Sequence, residues 1–251
     1  MAVTFDAGTA AKGGRLRVGI LTTETPHHVR FVQAIAARHD VVRVFEERRE
    51  ISADFETHHP FEDERAVFER ATWFDGADPG LSDVAEVETH RDLNDPKAVA
   101  SMKAAGLDAL LVFGTGRLNQ NVIDVAPERI VNLHGANPEK YRGLDTHLWA
   151  VYHGDFRGLV TTLHRVAPEL DRGGVVMRMP IPIHRGMKLH QLRKANTDVC
   201  IDISLQGLEM LANYGQFISQ PQLYIGRYYS FMPAVLKSRC VRQFEAFTAA
   251  L

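Results

Sequence analysis

Cysteine is nearly absent: Cys200 and Cys240 are the only two in 251 residues. Two thiols build no disulfide framework, which points to a reducing compartment. A chain of this length forms one large domain, or one domain with a small appendage, and buries enough core to need no staples. Excess charge of one sign is also missing. Lysine and arginine total 29 against 31 aspartate and glutamate, a formal net charge of −2, and the pI is near 6.6. That balance leaves no basic footprint for nucleic acid. No apolar run reaches membrane-spanning length, and Met1 to Gly14 lacks the apolar segment of a secretory signal. The expectation is a cytoplasmic protein with neither membrane nor nucleic-acid partner. There is no internal repeat and no low-complexity segment.

What is present is an alternation of apolar runs and helical patterns. Residues 1–14 are small and polar and read as a flexible tail, 15–215 as the main domain, and 216–251 as a small C-terminal extension rich in aromatics and ending on an amphipathic helix. Leu16–Thr22 reads as a first strand, Thr25-Pro26 as a helix start, and Val41–Phe45 as a second strand, completing a βαβ unit. His27-His28, just past the first strand, reads either as a ligand site or as a solvated helix cap. Residues 46–93 are the least legible, with a charged, half-buried helix around Phe61–Phe74. His58-His59 has no third ligand at metal-like spacing, so no metal is expected.

Asp95-Pro96 caps a helix that Gly106 ends, and Leu107–Phe113 is a buried strand of parallel-sheet type. It runs into Gly114-Thr115-Gly116-Arg117-Leu118. A dinucleotide fingerprint needs glycine at 119, which is Asn119, and follows the first strand, so an NAD site is a poor reading. Val175–Ile183, broken by Pro180 and Pro182, suits an edge strand. Lys188–Tyr214 has helical periodicity with Gly215 as a stop. The whole predicts an α/β fold, a doubly wound, mostly parallel sheet with a small C-terminal appendage.

The chemistry concentrates between Arg129 and Asp171. Ile130-Val131 opens a strand carrying Asn132 and His134 on one face, one pleat repeat apart. Gly135, Pro138 and Gly143 then mark a loop, which places the pair at the strand's carboxyl end, where open α/β sheets bind ligands. A second apolar run, Leu159–Val166, leads to Pro168-Glu169-Leu170-Asp171 and Gly173-Gly174, a turn that returns a carboxylate towards the first site. Alone, an Asn-x-His reads more readily as two hydrogen-bonded polar residues at a sheet edge.

The ordered string resembles the catalytic domain of the formyltransferases that use N10-formyltetrahydrofolate. It carries Asn132-x-His134, Pro138, Tyr141-Arg142-Gly143, Trp149-Ala150, Gly158, Thr162, His164 and Leu170-Asp171 in that family's order. The resemblance covers Leu107 to Ile183. It implies a Rossmann-like formyltransferase domain that uses folate as cosubstrate and no metal. It implies catalytic roles for Asn132, His134 and Asp171. Folate contacts are implied for Gly114, Gly116, Arg117, Leu118, Val166 and Glu169, and acceptor contacts for Tyr141 and Arg142. Formyl transfer to an amine passes through an oxyanion-bearing centre that needs aimed donors, which Asn132 and an imidazolium His134 can provide. Asp171 beside His134 would favour that imidazolium and relay the amine's proton.

The Gly135-Ala136-Asn137-Pro138 loop and the aromatic tail look most like the sugar N-formyltransferases, which act on nucleotide-linked amino sugars such as GDP-perosamine in O-antigen and lipopolysaccharide synthesis. Neither the β-barrel domain that follows the catalytic domain in methionyl-tRNA formyltransferase nor an amino-terminal regulatory domain is expected. A homodimer is compatible with these features. Two other classes stay open: a formyltransferase on another amine (methionyl-tRNA, N-hydroxyornithine or a purine precursor) and a non-enzymatic ligand-binding relative.

Overall fold

The computed structural model describes residues 14–49 and 52–251; the expected tail, but for Gly14, lies outside them. A seven-stranded sheet organises the chain. β1 (Arg17–Thr22) leads through α1 (Pro26–Ala36) to β2 (Asp40–Glu47), as the apolar alternation and Pro26 predict. α2 (Phe61–Phe74) is the charged helix of the region that reads poorly, and β3 (Val87–His90) is a short edge strand there. Its sequence, Val-Glu-Thr-His, has no apolar run, because its strand is half exposed. α3 (Pro96–Ala104) starts where the Asp95 carboxylate accepts the Lys97 amide at 2.8 Å. It stops before Gly106, whose φ of 63° only glycine adopts without strain.

β4 (Ala109–Phe113) is buried throughout and is followed by the one-turn helix α4 (Gln120–Ile123) and β5 (Ile130–His134). β6 (Tyr141–Gly143) lies outside this sheet, α5 (Thr146–Tyr152) follows it, and β7 (Val160–Arg165) and β8 (Val175–Pro180) close the sheet. β1 to β5 pair parallel within the sheet, while β7 runs antiparallel to β5 and β8 antiparallel to β7. The strand order is β3-β2-β1-β4-β5-β7-β8, so the fold is doubly wound and mostly parallel, with the order reversing between β1 and β4.

Helices cover both faces. α1 and α6 (Leu192–Tyr214) pack on one through Val29, Phe31, Ile35, Val199 and Ile203, and α3 packs on the other through Ala98, Val99 and Met102. The C-terminal stretch adds β9 (Arg227–Tyr229), which pairs parallel with β6, and α7 (Ala234–Ala249). Cys240 and Phe244 of α7 are buried in a third apolar cluster with Tyr141, Leu148 and Val151. The β6–β9 pair joins segments some eighty-five positions apart, which no local periodicity reveals. No helix among the described residues is long and apolar enough to cross a membrane.

Candidate active site

Strand alternation puts Asn132 and His134 on one face of β5, and the antiparallel register sets His164 of β7 directly opposite Asn132. The Asn132 amide donates from Nδ2 to His164 Nε2 at 3.0 Å, and His164 Nδ1 donates to the Arg165 carbonyl at 2.8 Å. That pair of bonds fixes one tautomer, with the proton on Nδ1, and fixes the Asn132 amide with its nitrogen inward. Burial first, and then the nearby His134, push His164 down to about 4, so the ring is neutral near pH 7. His164 Nε2 also lies 3.8 Å from Asp171 Oδ1. With a lone pair on that nitrogen the approach is a contact, not an ion pair.

His134 is held from the other side. Its Nε2 donates to the Tyr141 carbonyl at 2.7 Å, which leaves Nδ1 facing Asp171 Oδ1 at 3.6 Å. Asp171 Oδ2 accepts the Gly143 amide at 2.8 Å. Asp171 itself sits at φ 54°, a strained left-handed backbone for a non-glycine residue. Two clamps hold it there. The Arg142 guanidinium donates twice to the Leu170 carbonyl, at 3.0 and 2.5 Å, and Gln222 Nε2 donates to the Asp171 and Gly173 carbonyls, at 2.8 Å each. Asn132, His134, His164 and Asp171 thus meet at the carboxyl end of β5.

The turn after β4 and the loop after β7 form adjoining walls. Arg117 Nε donates to the Pro168 carbonyl at 2.9 Å and ties them together. Gly114, at φ 83°, backs onto His28; a Cβ there would lie 2.5 Å from Nε2. Gly116 presents no side chain, and its amide donates to the buried Glu47 carboxylate at 2.6 Å. Leu118 is a core side chain, Val166 packs on the same cluster, and Glu169 is exposed with its carbonyl accepting the Arg172 amide at 3.2 Å. This wall is largely main chain and glycine, which suits a flat heterocycle carrying both donors and acceptors.

Other expectations need revision. His27 and His28 are not a solvated cap: both rings are buried, tilted against each other with centroids 3.9 Å apart, and burial lowers both, His28 to about 3. Tyr141 and Arg142 are placed inward. Tyr141 is buried, with its hydroxyl 3.2 Å from Asp155, and Arg142 is turned onto the Leu170 carbonyl. Their side chains brace the site from within, because the His134 and Asp171 segments need partners. His58 pairs with Asp63 at 3.1 Å and His59 with Ser238 at 3.0 Å, and the described residues hold no cluster of three metal-ligating side chains. Sequence reasoning gave His164 no role, although Thr162-x-His164 on a strand repeats the spacing of Asn132-x-His134. Gln222 and Glu47 carry no local signal that would single them out.

A family model described as "Formyl transferase" matches residues 12–202. The methionyl-tRNA formyltransferase of Solibacter usitatus is 36% identical over 84 residues, which are 33% of this chain and 27% of that enzyme. That of Thermosynechococcus vestitus is 28% identical over 129 residues, 51% of this chain and 38% of that enzyme. The chain therefore matches well under half the length of these curated relatives. A sugar N-formyltransferase from a Shewanella species shares the fold, with a TM-score of 0.59 at 12% identity, over 91% of this chain and 87% of that one. So does a formyltransferase from Anoxybacillus kamchatkensis, solved with UDP-4,6-dideoxy-4-formamido-L-AltNAc and tetrahydrofolate, with a TM-score of 0.50 at 16% identity, over 85% of each chain. With residues 12–202 inside the family match, on a doubly wound sheet whose β5 ends in Asn132 and His134, the chain belongs to the formyl transferase family.

Proposed function

We propose that this protein transfers a formyl group from N10-formyltetrahydrofolate to the amine of a nucleotide-linked amino sugar. The observation that carries the chemistry is the convergence of Asn132, His134 and Asp171, with His164 fixing the Asn132 amide. N10-formyltetrahydrofolate supplies an activated formyl carbon on a folate nitrogen. Asn132 keeps one Nδ2 hydrogen on His164 and has the other for the oxyanion that develops on that formyl group. His134 has its Nε2 hydrogen committed to the Tyr141 carbonyl, so Nδ1 is the atom that exchanges protons. Nδ1 takes the proton of the attacking amine, and the ring becomes an imidazolium that also stabilises the oxyanion. Asp171, 3.6 Å away, stabilises that positive charge, and the proton passes on to the leaving nitrogen.

The walls at Gly114–Leu118 and Val166–Asp171 would hold the pterin through main-chain groups. Support for a sugar acceptor comes from a solved sugar N-formyltransferase and from a formyltransferase solved with a nucleotide-linked formamido sugar, whose fold the chain follows over 91% and 85% of its length. A formal net charge of −2 also argues against tRNA, which selects a basic face. GDP-perosamine represents the acceptor class, which would place the reaction in O-antigen assembly. Calorimetry with tetrahydrofolate and with NAD tests the cosubstrate. Tetrahydrofolate is expected to bind and NAD not; the reverse would mean that the Gly114–Gly116 turn serves a dinucleotide.

A further inference from the structure

A cavity of about 200 Å³ opens on the α1/α6 side of the sheet. Its wall carries Arg65 of α2, Arg193 and Asn196 of α6, His27 of α1, and Asp145 with His147 at the start of α5. It adjoins the reacting groups: the His147 ring packs on Gly135, the residue after His134, and the Thr146 hydroxyl donates to the Gly135 carbonyl at 3.0 Å. Two guanidiniums reach it from separate helices, and they are not equally satisfied. Arg193 is matched by the fully buried Glu69 carboxylate, at 2.7 Å from Nε and 2.5 Å from Nη2. Arg65 donates to Glu62 at 3.3 Å, and among the described residues its buried Nε has no acceptor.

Glu62 is already engaged. It accepts from Lys237 at 3.1 and 3.2 Å and from the His59 amide at 2.9 Å. Asp145, the acid in the wall, is raised by burial, and one of its oxygens accepts the Met232 amide at 2.8 Å. Burial first, and then Arg193, lower Arg65 to about 10, with Glu62, Glu69 and Asp145 only partly offsetting them. The same two arginines add to the burial that keeps His27 neutral. A buried donor of this kind is completed by an anion, and the planar guanidinium fork matches a phosphate or carboxylate.

We propose that this cavity receives an oxyanion carried by the acceptor, a phosphate or a carboxylate, and that Arg65 is the residue that selects it. The inference rests on reading the chain as a transferase to an amine. The cavity is smaller than the roughly 300–1,000 Å³ that holds a whole drug-sized ligand. It therefore takes one group of the acceptor and leaves the rest outside.

Calorimetric titrations with inorganic phosphate, malonate and tetrahydrofolate, on wild type, Arg65→Gln and Arg65→Lys, test it. One of the two anions binds saturably to wild type, about tenfold or more weaker to Arg65→Gln, and with part of the loss restored in Arg65→Lys. The tighter of the two identifies the source of the oxyanion. Unchanged tetrahydrofolate affinity across the three proteins shows that the variants are folded. No saturable anion binding to wild type, or equal binding to Arg65→Gln, overturns the proposal. Anion binding without tetrahydrofolate binding leaves the oxyanion site in place and removes the formyl-transfer reading instead.

Discussion

At the scale of single residues, the proposed mechanism divides labour between groups that would meet the substrate and groups that fix them. Removing the Asn132 amide deletes one oxyanion donor, so Asn132→Ala is expected to lower turnover by on the order of a hundredfold or more. Asp171→Asn keeps the shape and loses the charge that offsets the imidazolium; turnover should collapse while tetrahydrofolate affinity changes little. His134→Ala should be at least as damaging. Release of free tetrahydrofolate, followed for each variant, measures all three, and near wild-type rates would remove the assignment. His164 acts through Asn132: its neutral ring accepts the Nδ2 hydrogen that aims the amide. His164→Phe keeps an aromatic plug but offers no acceptor, and it is expected to lower kcat with KM for folate nearly unchanged. An equal loss in both parameters would mark His164 as packing alone.

At the scale of elements, the strand ends do the positioning. Asn132 and His134 were legible because period-two alternation, a following glycine and the ordered motif all point to one strand end. The braces of the Asp171 turn were not. Gln222 reaches Asp171 and Gly173 from about fifty positions away, and β9 pairs with β6 from still farther, so their partners are set by tertiary packing. α2 read correctly as a charged, half-buried helix, yet nothing local shows that its Glu69 meets Arg193 on α6. The Gly114 turn gives an element-scale prediction. Its φ of 83° and the His28 ring behind it both oppose a side chain. Gly114→Ala is expected to cost about 1–3 kcal/mol, by backbone strain and overpacking, and to weaken tetrahydrofolate binding in step. Urea unfolding of the two proteins reads the first effect; an unchanged midpoint would mean that the turn relaxes freely.

At the scale of the whole molecule, burial of neutral imidazoles couples stability to pH. Burial holds His28 at about 3, and His147 and His164 at about 4, against 6.5 in an unfolded chain. Between those values the unfolded state binds more protons than the folded one, so stability falls as pH is lowered from about 6.5 towards 4. Above about 7 these groups add no slope. Thermal unfolding from pH 8 to pH 4.5 should show a Tm that declines only on the acidic side; a flat profile down to pH 4.5 would contradict the burial of these rings in the folded state. The alternation of strands and helices made the sheet and its two helical layers legible across the chain, since most of the apolar runs are strands of one mostly parallel sheet. The sequence did not reveal how the C-terminal residues would be used, because a short aromatic segment takes its structure from what it packs on.

Transfer of a formyl group onto an amino sugar at this one site is the central proposal. The direct measurement is the mass of the acceptor after incubation with N10-formyltetrahydrofolate, for wild type and Asp171→Asn, using nucleotide-linked amino sugars and methionyl-tRNA side by side. Wild type is expected to add one formyl group to an amino sugar, Asp171→Asn to leave it unmodified, and methionyl-tRNA to be a poor acceptor. Formylation of methionyl-tRNA with no amino sugar modified would contradict the acceptor class, and equal product from Asp171→Asn would contradict the site itself.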